Sequence, residues 1–343
     1  MTREQAVPSA IGVYRVRRAW PRHDELALEL VGPGGVVTPA RLRGNEPVEV
    51  GRAGNDPALP GLARAVAESG GSAAVIGHRP GRRAVLTCGE QWVKVVRPGT
   101  AMSISSRHVA LSRLVTDATA GVRVATLEYV DGPAGTLTFA ALAGRPMLRH
   151  ADVVAVASRV GSALSRWQQL TPPFGLDRHD ARREIDVLAR WANAAQQRGL
   201  IAARRRRSFE MLVADAVAAL GSLGRRPEEV LSHRDLHDAQ VLVDDAGEVG
   251  FLDLDTVAVA DPALDIGNLL AHLDLAVATG AADASTIGSA GEALTRAAVG
   301  DRGDAAAIRA YRLAAVARLV AVHAFRPGSR EAAATLVDGR AAA

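Results

Sequence analysis

Two carboxylates and a side-chain amide lie close together in the second half of the chain and could form an oxygen-rich site. Asp235 lies in a polar stretch, and Gln240 follows it by five residues, where a strand pattern begins. Asp253 lies on a second strand pattern, after a turn at 244–247. A hairpin of these strands would bring the three side chains together. Their oxygens are the ligands that a hard divalent cation prefers.

One lysine is set apart from the other basic residues. Lys94 is the only lysine among 41 basic side chains, and all the others are arginine. Residues 91–96 around it have the β-branched composition of a strand. An ammonium group is a compact point charge, unlike the planar guanidinium fork, and on a strand that faces a cleft it suits a phosphate contact. The alternative is that a single lysine remains here by chance.

The elements that must position these residues change in character along the chain. Residues 11–43 alternate and are broken at 33–35, which predicts two or three strands in a β extension covering 1–55. Residues 56–143 read as a small sheet-rich lobe. Its predicted elements are a helix at 62–69, strands at 73–76, 83–88 and 92–96, a helix at 101–118, and strands near 122–130 and 136–141.

Residues 144–343 have helical periodicity, interrupted by the β-like island at 231–254 that carries the chemistry. Helices are predicted at 151–170, 180–198, 206–223, 262–277, 287–299 and 305–324. The chain therefore reads as an α+β protein with two lobes. The first lobe is an antiparallel sheet and the second is helical, with a hinge near 137–143.

The composition excludes several classes of protein. With 343 residues, 48% of them hydrophobic and 23% charged, the chain can bury a proper core and is not intrinsically disordered. No apolar stretch approaches the ~18 residues of a membrane helix, and no apolar segment follows the start as in a signal peptide. We therefore expect a cytoplasmic protein with no membrane partner. Cys88 is the only cysteine, which excludes an intrachain disulfide and a cysteine-based zinc cluster.

The charge does not favour a nucleic-acid partner. The net charge is only +4, and the one dense basic run is at 204–207 in a helical pattern. Arginines at successive helical positions point all round the axis, which is typical of a solvated helix end. A polyanion site at this run is the less favoured alternative.

The motifs of the island resemble those of a known superfamily. His233-Arg234-Asp235, with Gln240 five residues later, is similar to the His-x-Asp-x-x-x-x-Asn catalytic loop of the protein-kinase-like fold, specifically of the aminoglycoside phosphotransferase and choline kinase superfamily. Gly250-Phe251-Leu252-Asp253 resembles its metal-binding Ile-Asp motif. The run at 261–266 resembles its Asp-Pro-x-x-Asp-Ile continuation. The resemblance covers roughly residues 60–330.

The resemblance implies a Mg²⁺-dependent O-phosphotransferase that binds ATP or GTP between the lobes. Asp235 would orient the acceptor hydroxyl and take its proton. Asp253 and Gln240 would hold Mg²⁺, and Lys94 would contact the nucleotide phosphates. The acceptor would be a small molecule with a hydroxyl group, such as an aminoglycoside-like compound, a sugar or another small metabolite.

Three further residues receive roles from their place in the same motifs. His233 and Asp265 would support the loop through its backbone. Asp255, two residues after Asp253 on a stretch expected to be extended, would share its face and could line the acceptor side. The alternative for Asp255 is a solvated strand end.

Two departures from the family pattern support a second hypothesis. Gln240 stands where the family usually has Asn, and no Glu lies between Lys94 and Glu128 to pair with the lysine. The predicted helix at 101–118 offers only His108 and Asp117. The chain could therefore be a nucleotide-binding pseudokinase with a regulatory or scaffolding role, and the partner of Lys94 stays open.

Overall fold

The computed structural model describes residues 7–44, 46–118, 121–224, 229–299 and 304–340. Two antiparallel sheets follow each other along the chain, and a helical part comes after them. This confirms the α+β architecture with a sheet-rich first part and a helical second part. The expected unit limits at 55 and 143 fall between elements, because β5 ends at Val50, α1 begins at Pro60, β11 ends at Ala140 and β12 begins at Arg145.

The N-terminal sheet has five strands in sequential order, not the two or three predicted. The two outer strands have only two residues each, which is too short to give an alternating pattern in the sequence. The central strand β3 is buried along almost its whole length. The strands are β1 Ala10–Ile11, β2 Tyr14–Pro21, β3 Glu25–Val31, β4 Val37–Arg43 and β5 Glu49–Val50.

The second sheet places Lys94 at its centre. Its order is β10-β11-β8-β7-β6, and Lys94 on β8 lies opposite Val85 of β7 and Leu137 of β11. Two helices, α1 and α2, belong to the same part of the chain. The elements are α1 Pro60–Glu68, β6 Ala73–Arg79, β7 Arg83–Cys88, β8 Gln91–Val96, α2 Ala101–Asp117, β10 Leu127–Asp131 and β11 Thr136–Ala140.

Two small sheets hold the β-like island inside the helical part. β15 and β16 form the predicted hairpin, with Val241 opposite Phe251, and β9 pairs with β16 in parallel. The other sheet has the order β13-β17-β14. These strands are β9 Val122–Val124, β12 Arg145–Pro146, β13 Arg178–His179, β14 Val230–Ser232, β15 Val241–Val243, β16 Val249–Phe251 and β17 Ala258–Ala260.

The main helices of the second part lie within a few residues of their predicted bounds. They are α3 Val153–Gln168, α4 Ala181–Gln197, α5 Ala203–Gly221, α6 Ala263–Ala278, α7 Ala284–Val299, α8 Ala305–His323 and the short α9 Arg330–Ala334. α3 packs against α7, and α6 packs against α8. Among the described helices, none has the length and apolarity to span a membrane.

The N-terminal sheet contacts both lobes. Arg17 Nη2 donates a hydrogen bond to the carbonyl oxygen of Ile76 in β6 (2.6 Å). On the other side, the Ala19 amide donates to the carbonyl oxygen of Phe325, just after α8 (2.8 Å). Leu26, Leu28 and Leu30 of β3 belong to the same hydrophobic cluster as the core of the helical lobe. The extension is therefore built into the molecule rather than appended to it.

Candidate active site

The loop between β14 and β15 begins on two buried supports. Asp265 Oδ2 accepts a hydrogen bond from the His233 amide, and Oδ1 accepts one from the Arg234 amide, both at 2.7 Å. The His233 ring is fully buried, and its Nε2 lies 2.7 Å from the carbonyl oxygen of Leu252. Asp265 therefore holds the backbone of this loop, and the His233 ring bonds the backbone just before Asp253. Their support roles stay a prediction.

The backbone is strained at two points of this site. Arg234 has φ 69° and Asp253 has φ 55°, and they are the two non-glycine residues with positive φ in the described part of the chain. Side chains other than glycine adopt this region at a cost, and such residues cluster at functional sites. One strained residue precedes Asp235, and the other is the predicted metal ligand.

Lys94 bridges the two lobes through two carboxylates. Its Nζ lies 2.6 Å from Asp253 Oδ1 and 2.9 Å from Asp255 Oδ1. Burial by itself would lower the pKa of Lys94, but Asp253 and Asp255 outweigh it and raise that pKa. The ammonium therefore stays charged at every physiological pH. The partner of Lys94 that the sequence left open is this pair of aspartates.

Asp255 reaches the lysine in an unexpected way. The extended stretch expected at 253–255 is instead a left-handed residue followed by a 3-10 turn at Leu254–Thr256. The two carboxylates nevertheless converge, because the turn brings Asp255 back beside Asp253 on Lys94. A role for Asp255 on the acceptor side stays a prediction.

Helix α2 supplies no carboxylate to Lys94. His108, one of the two candidates, is buried and its Nε2 bonds the carbonyl oxygen of Ala125 at 2.7 Å. Burial lowers the pKa of His108, and the charge on Lys94 lowers it further, so the ring is neutral and does not repel the lysine. Arg107 Nη1 donates to the backbone oxygen of Asp255 (2.6 Å). The helix thus contacts the 253–255 segment through an arginine that the sequence reasoning missed.

Asp253 is held in its charged form. Burial would raise its pKa, but Lys94 and then Arg83 outweigh that effect and lower the pKa to about 2. Arg83 Nη1 lies 3.4 Å from Asp253 Oδ2. Asp253 is therefore an anion at neutral pH, as a metal ligand must be.

Asp253 and Gln240, the two ligands predicted for Mg²⁺, are carried by neighbouring segments. The Leu252 amide donates to the carbonyl oxygen of Gln240 (3.0 Å), so the segments that carry the two side chains are bonded to each other. No group of three His, Cys, Asp or Glu side chains able to hold a metal occurs in the described ranges. Mg²⁺ commonly takes one or two carboxylates together with substrate phosphates. Gln offers the same carbonyl oxygen as Asn on one more methylene.

Asp235 is half-buried and opens onto a cleft of about 530 Å³ between the lobes. Asp253 lines the same cleft, so the predicted base and the predicted metal ligand face one space. The roof comes from the β6–β7 hairpin and the start of α2. The floor comes from α4, α8 and the loop between β14 and β15. A hydroxyl group beside Asp235 would therefore lie within the same cleft as the phosphates of a nucleotide held at Asp253.

A buried polar chain behind the loop was not found from the sequence. Asn268 Nδ2 donates to the carbonyl oxygen of Leu236 (2.9 Å), and Arg318 Nη2 donates to Asn268 Oδ1 (2.5 Å). Arg318 Nε also lies 3.3 Å from Glu184 Oε1. Asn268 is three residues after Asp265 on α6, one helical turn along the same face. This spacing is the sequence signal from which a contact of Asn268 with the loop could have been predicted.

The sequence matches the family model described as "Phosphotransferase enzyme family" over residues 87–299. A comparison with curated proteins gives no match. The family match spans Lys94, the loop between β14 and β15, and the β15–β16 hairpin.

Several solved structures have a similar fold. Spectinomycin phosphotransferase in complex with ADP and spectinomycin is 13% identical, with a TM-score of 0.55 over 78% of this chain and 88% of that one. A choline/ethanolamine kinase family protein from Mesorhizobium loti is 17% identical, with a TM-score of 0.54 over 83% and 89%. An aminoglycoside-3'-phosphotransferase of type VIII is 20% identical, with a TM-score of 0.52 over 75% and 98%. At these identities the likeness is one of fold.

Proposed function

The chain belongs to the phosphotransferase enzyme family, and we propose that it transfers the γ-phosphate of ATP or GTP to a hydroxyl group of a small molecule in a Mg²⁺-dependent reaction. The observation that carries this proposal is the ion pair of Lys94 with Asp253 (2.6 Å), on a cleft that Asp235 also lines. A phosphate anchor, a metal ligand and a base are the parts that phosphoryl transfer needs.

Each residue has a distinct task in this reaction. Asp235 accepts a hydrogen bond from the acceptor hydroxyl and takes its proton as the oxygen attacks. Lys94 contacts the α- and β-phosphates, for which it exchanges part of its contact with Asp253 and Asp255. Asp253 and Gln240 would hold Mg²⁺, which supplies charge neutralisation at the β- and γ-phosphates when bound. Asp265 and His233 keep the loop in place throughout.

Nucleotide use is supported by one of the similar structures. The spectinomycin phosphotransferase was solved with ADP and spectinomycin. By analogy of fold alone, we propose that this chain also takes a nucleotide and a small hydroxyl-bearing molecule.

The first test is a thermal-shift titration with ATP, GTP and ADP, each with and without Mg²⁺, on the wild type and on Asp253→Asn. A nucleotide at 100 times its Kd stabilises the folded protein by about 2.7 kcal/mol. We expect the Mg²⁺-dependent part of the shift to disappear in Asp253→Asn. Asp245→Asn is the control, because this side chain lies on the β15–β16 turn and is 93% exposed. Absence of any nucleotide-dependent shift in the wild type would refute the proposal.

Measurements of turnover distinguish the role of the predicted base from that of the nucleotide site. Asp235→Asn should lower kcat by about 10³-fold or more while nucleotide binding stays close to the wild type, since the residue acts on the acceptor. Phosphate transfer to an acceptor, followed by mass spectrometry, is the measurement. Retained turnover in Asp235→Asn would remove Asp235 from the mechanism.

A nucleotide-binding pseudokinase is the second candidate. The observation that favours it is the pairing of Lys94 with two carboxylates, together with Gln240 in the metal site. In that case Mg-nucleotide would stabilise the wild type without turnover, and Gln240→Asn would create activity. Robust turnover by the wild type would exclude this candidate.

A further inference from the structure

The turn that joins β6 to β7, residues 79–82, is called the roof turn because it lies in the roof of the cleft. Arg79 and Arg82 of this turn line the cleft together with Asp253, where the proposed function places the nucleotide phosphates. The Arg82 amide donates a hydrogen bond to the carbonyl oxygen of Arg79 (2.9 Å). Gly81 has φ 65°, a conformation that glycine adopts without a steric penalty. The roof turn is therefore tight and rich in positive charge.

The arginines around the roof turn repel one another. The Arg79 guanidinium lies over the ring of Trp20 on β2, 5.5 Å from its centroid. Burial, followed by the charges of Arg83, Arg82 and Arg22, lowers the pKa of Arg79 to about 10. The group is still charged at neutral pH, so the repulsion persists in the folded protein. Among the described residues, neither Arg79 nor Arg82 forms an ion pair with a carboxylate, so other contacts must hold this turn.

A buried aspartate holds the roof turn through its backbone. Asp56 precedes α1 and is only 4% exposed. Its Oδ2 accepts hydrogen bonds from the Gly81 amide (2.5 Å) and from Nε2 of His78 on β6 (2.9 Å). Burial would raise the pKa of Asp56, but hydrogen bonds from His78, Gly81 and Ala58 outweigh it and lower the pKa. Asp56 is therefore an anion at neutral pH, and a charged acceptor forms stronger hydrogen bonds than a neutral one.

Two arginines hold the carbonyl groups of the same turn. Arg22 follows β2 of the N-terminal sheet, and its Nη2 donates to the carbonyl oxygen of Pro80. Arg97 follows β8, and its Nε donates to the carbonyl oxygen of Gly81 (2.7 Å). The backbone of the roof turn is therefore held at three points. Two of the three residues that hold it come from the chain before α1, outside the residues 87–299 that match the family model.

Resting on the proposed function, we propose that Asp56 and Arg22 are positioning residues of the nucleotide site. They hold the roof turn in the conformation that directs Arg79 and Arg82 into the cleft, so the turn does not have to be ordered when a nucleotide binds. Ordering a loop on binding lowers the affinity, and a loop that is held beforehand avoids this loss. The contacts that depend on Asp56 and Arg22 are those to the β- and γ-phosphates, which the proposed function places at Asp253.

The test compares ADP with AMP, because the two nucleotides differ only in the β-phosphate. Their Kd values in the presence of Mg²⁺ are measured by calorimetry, directly for ADP and by competition with ADP for AMP. We expect Asp56→Asn and Arg22→Met to weaken ADP binding by about tenfold and to change the Kd of AMP by less than about threefold. A variant that only destabilised the fold would leave the preference for ADP over AMP unchanged.

Each variant has a matched control. Arg22 pairs with Glu25 at 3.2 Å, and Arg43→Met removes the other arginine partner of Glu25, at 3.1 Å, without touching the roof turn. Asp131→Asn is the control for Asp56→Asn, because Asp131 also accepts a backbone amide (2.9 Å) but does not line the cleft. Both controls should keep the preference of the wild type for ADP.

Arg22→Met decides the outcome if Asp56→Asn does not fold, because it alters no buried carboxylate. An unchanged preference for ADP in Arg22→Met would overturn the proposal. A wild type that binds ADP and AMP equally well, or controls that lose the preference to the same extent as the two variants, would also overturn it.

The proposed function and this inference fail in different ways. If Mg-nucleotide does not bind to the wild type, the proposed function fails and the positioning role fails with it. If Mg-ADP binds and the variants keep the preference for ADP, only the positioning role of Asp56 and Arg22 is refuted.

Discussion

Lys94 connects two carboxylates that would otherwise repel each other. Its ammonium lies within 3 Å of both Asp253 and Asp255, and only 12% of its side chain is exposed. Removing one partner of a buried ion pair lowers the free energy of unfolding by more than the pair itself contributes to it, because the other partner stays desolvated. This lysine therefore has a structural role in the unliganded protein besides any contact with nucleotide.

We predict that Lys94→Met removes a pH-dependent part of the stability. The depressed pKa of Asp253, about 2 against its ordinary value of 3.8, contributes about 2 kcal/mol. This contribution is complete above pH 4 and is lost as the pH falls toward 2. Urea unfolding of the wild type and the variant between pH 7 and pH 2.5 measures it.

Arg64→Met is the control for Lys94→Met. Arg64 pairs with Glu68 and Asp131 but is 54% exposed, so we expect only a small change in the unfolding free energy, with little dependence on pH. An unfolding free energy that differs equally from the wild type at pH 7 and pH 2.5 would contradict the assignment to Asp253.

At the scale of elements, α6 supports the loop between β14 and β15. Asp265 in its first turn accepts hydrogen bonds from two loop amides, and Asn268 one turn later donates to a third loop residue, Leu236. The helix itself is fixed by its close crossing with α8. At Gly267 the two backbones approach so closely that an added Cβ would lie 2.6 Å from the amide nitrogen of Arg312.

We predict that Gly267→Ala destabilises the protein by about 2 kcal/mol or more, because the methyl group forces α6 and α8 apart. The displaced helix would also misplace Asp265, so kcat should fall without a matching loss of nucleotide binding. Thermal or urea unfolding, combined with turnover, measures both effects.

The control for this crossing is Gly288→Ala on α7. No heavy atom lies within 4 Å of the position of its Cβ, so alanine should stabilise the helix by about 0.5–1 kcal/mol. If both alanine variants are stabilising, the close approach of α6 and α8 is not a constraint in solution.

At the scale of the molecule, the N-terminal sheet connects the two lobes on the side of the β6–β7 hairpin. Glu29 is fully buried and accepts hydrogen bonds from Arg17 Nε and from the His78 amide of β6, both at 2.6 Å. On the other side, Arg198 Nη2 of the helical lobe donates to the carbonyl oxygen of Arg22 (2.9 Å). The sheet therefore restrains the β6–β7 hairpin, which forms part of the roof of the cleft.

We predict that Glu29→Ala destabilises the protein by about 3 kcal/mol, since it leaves Arg17 and the His78 amide without their acceptor. The β6–β7 amides should also exchange faster with deuterium. Hydrogen exchange read by mass spectrometry is the measurement. Glu49→Ala, at an exposed position of the same sheet, is the control, and equal exchange in the two variants would contradict the role of the sheet as a restraint.

Much of the architecture can be predicted from local sequence patterns. Helical periodicity predicted the six long helices of the second part to within a few residues, and alternation predicted the β15–β16 hairpin, because these signals depend on neighbouring residues. The two-residue strands β1 and β5 carry no such signal and were missed. The motifs around Asp235 and Asp253 predicted the family, which the match over residues 87–299 confirms.

The sequence by itself thus determined the class of fold, the family and the residues to consider. Only the tertiary structure decided what they touch. The pairing of Lys94 with Asp253 and Asp255 joins positions about 160 residues apart. It depends on the left-handed backbone conformation of Asp253, which no sequence pattern predicts. The cleft between the lobes is lined by arginines that lie between positions 79 and 318 of the chain. Contacts of this kind arise when separate elements pack together, and periodicity within one element carries no information about them.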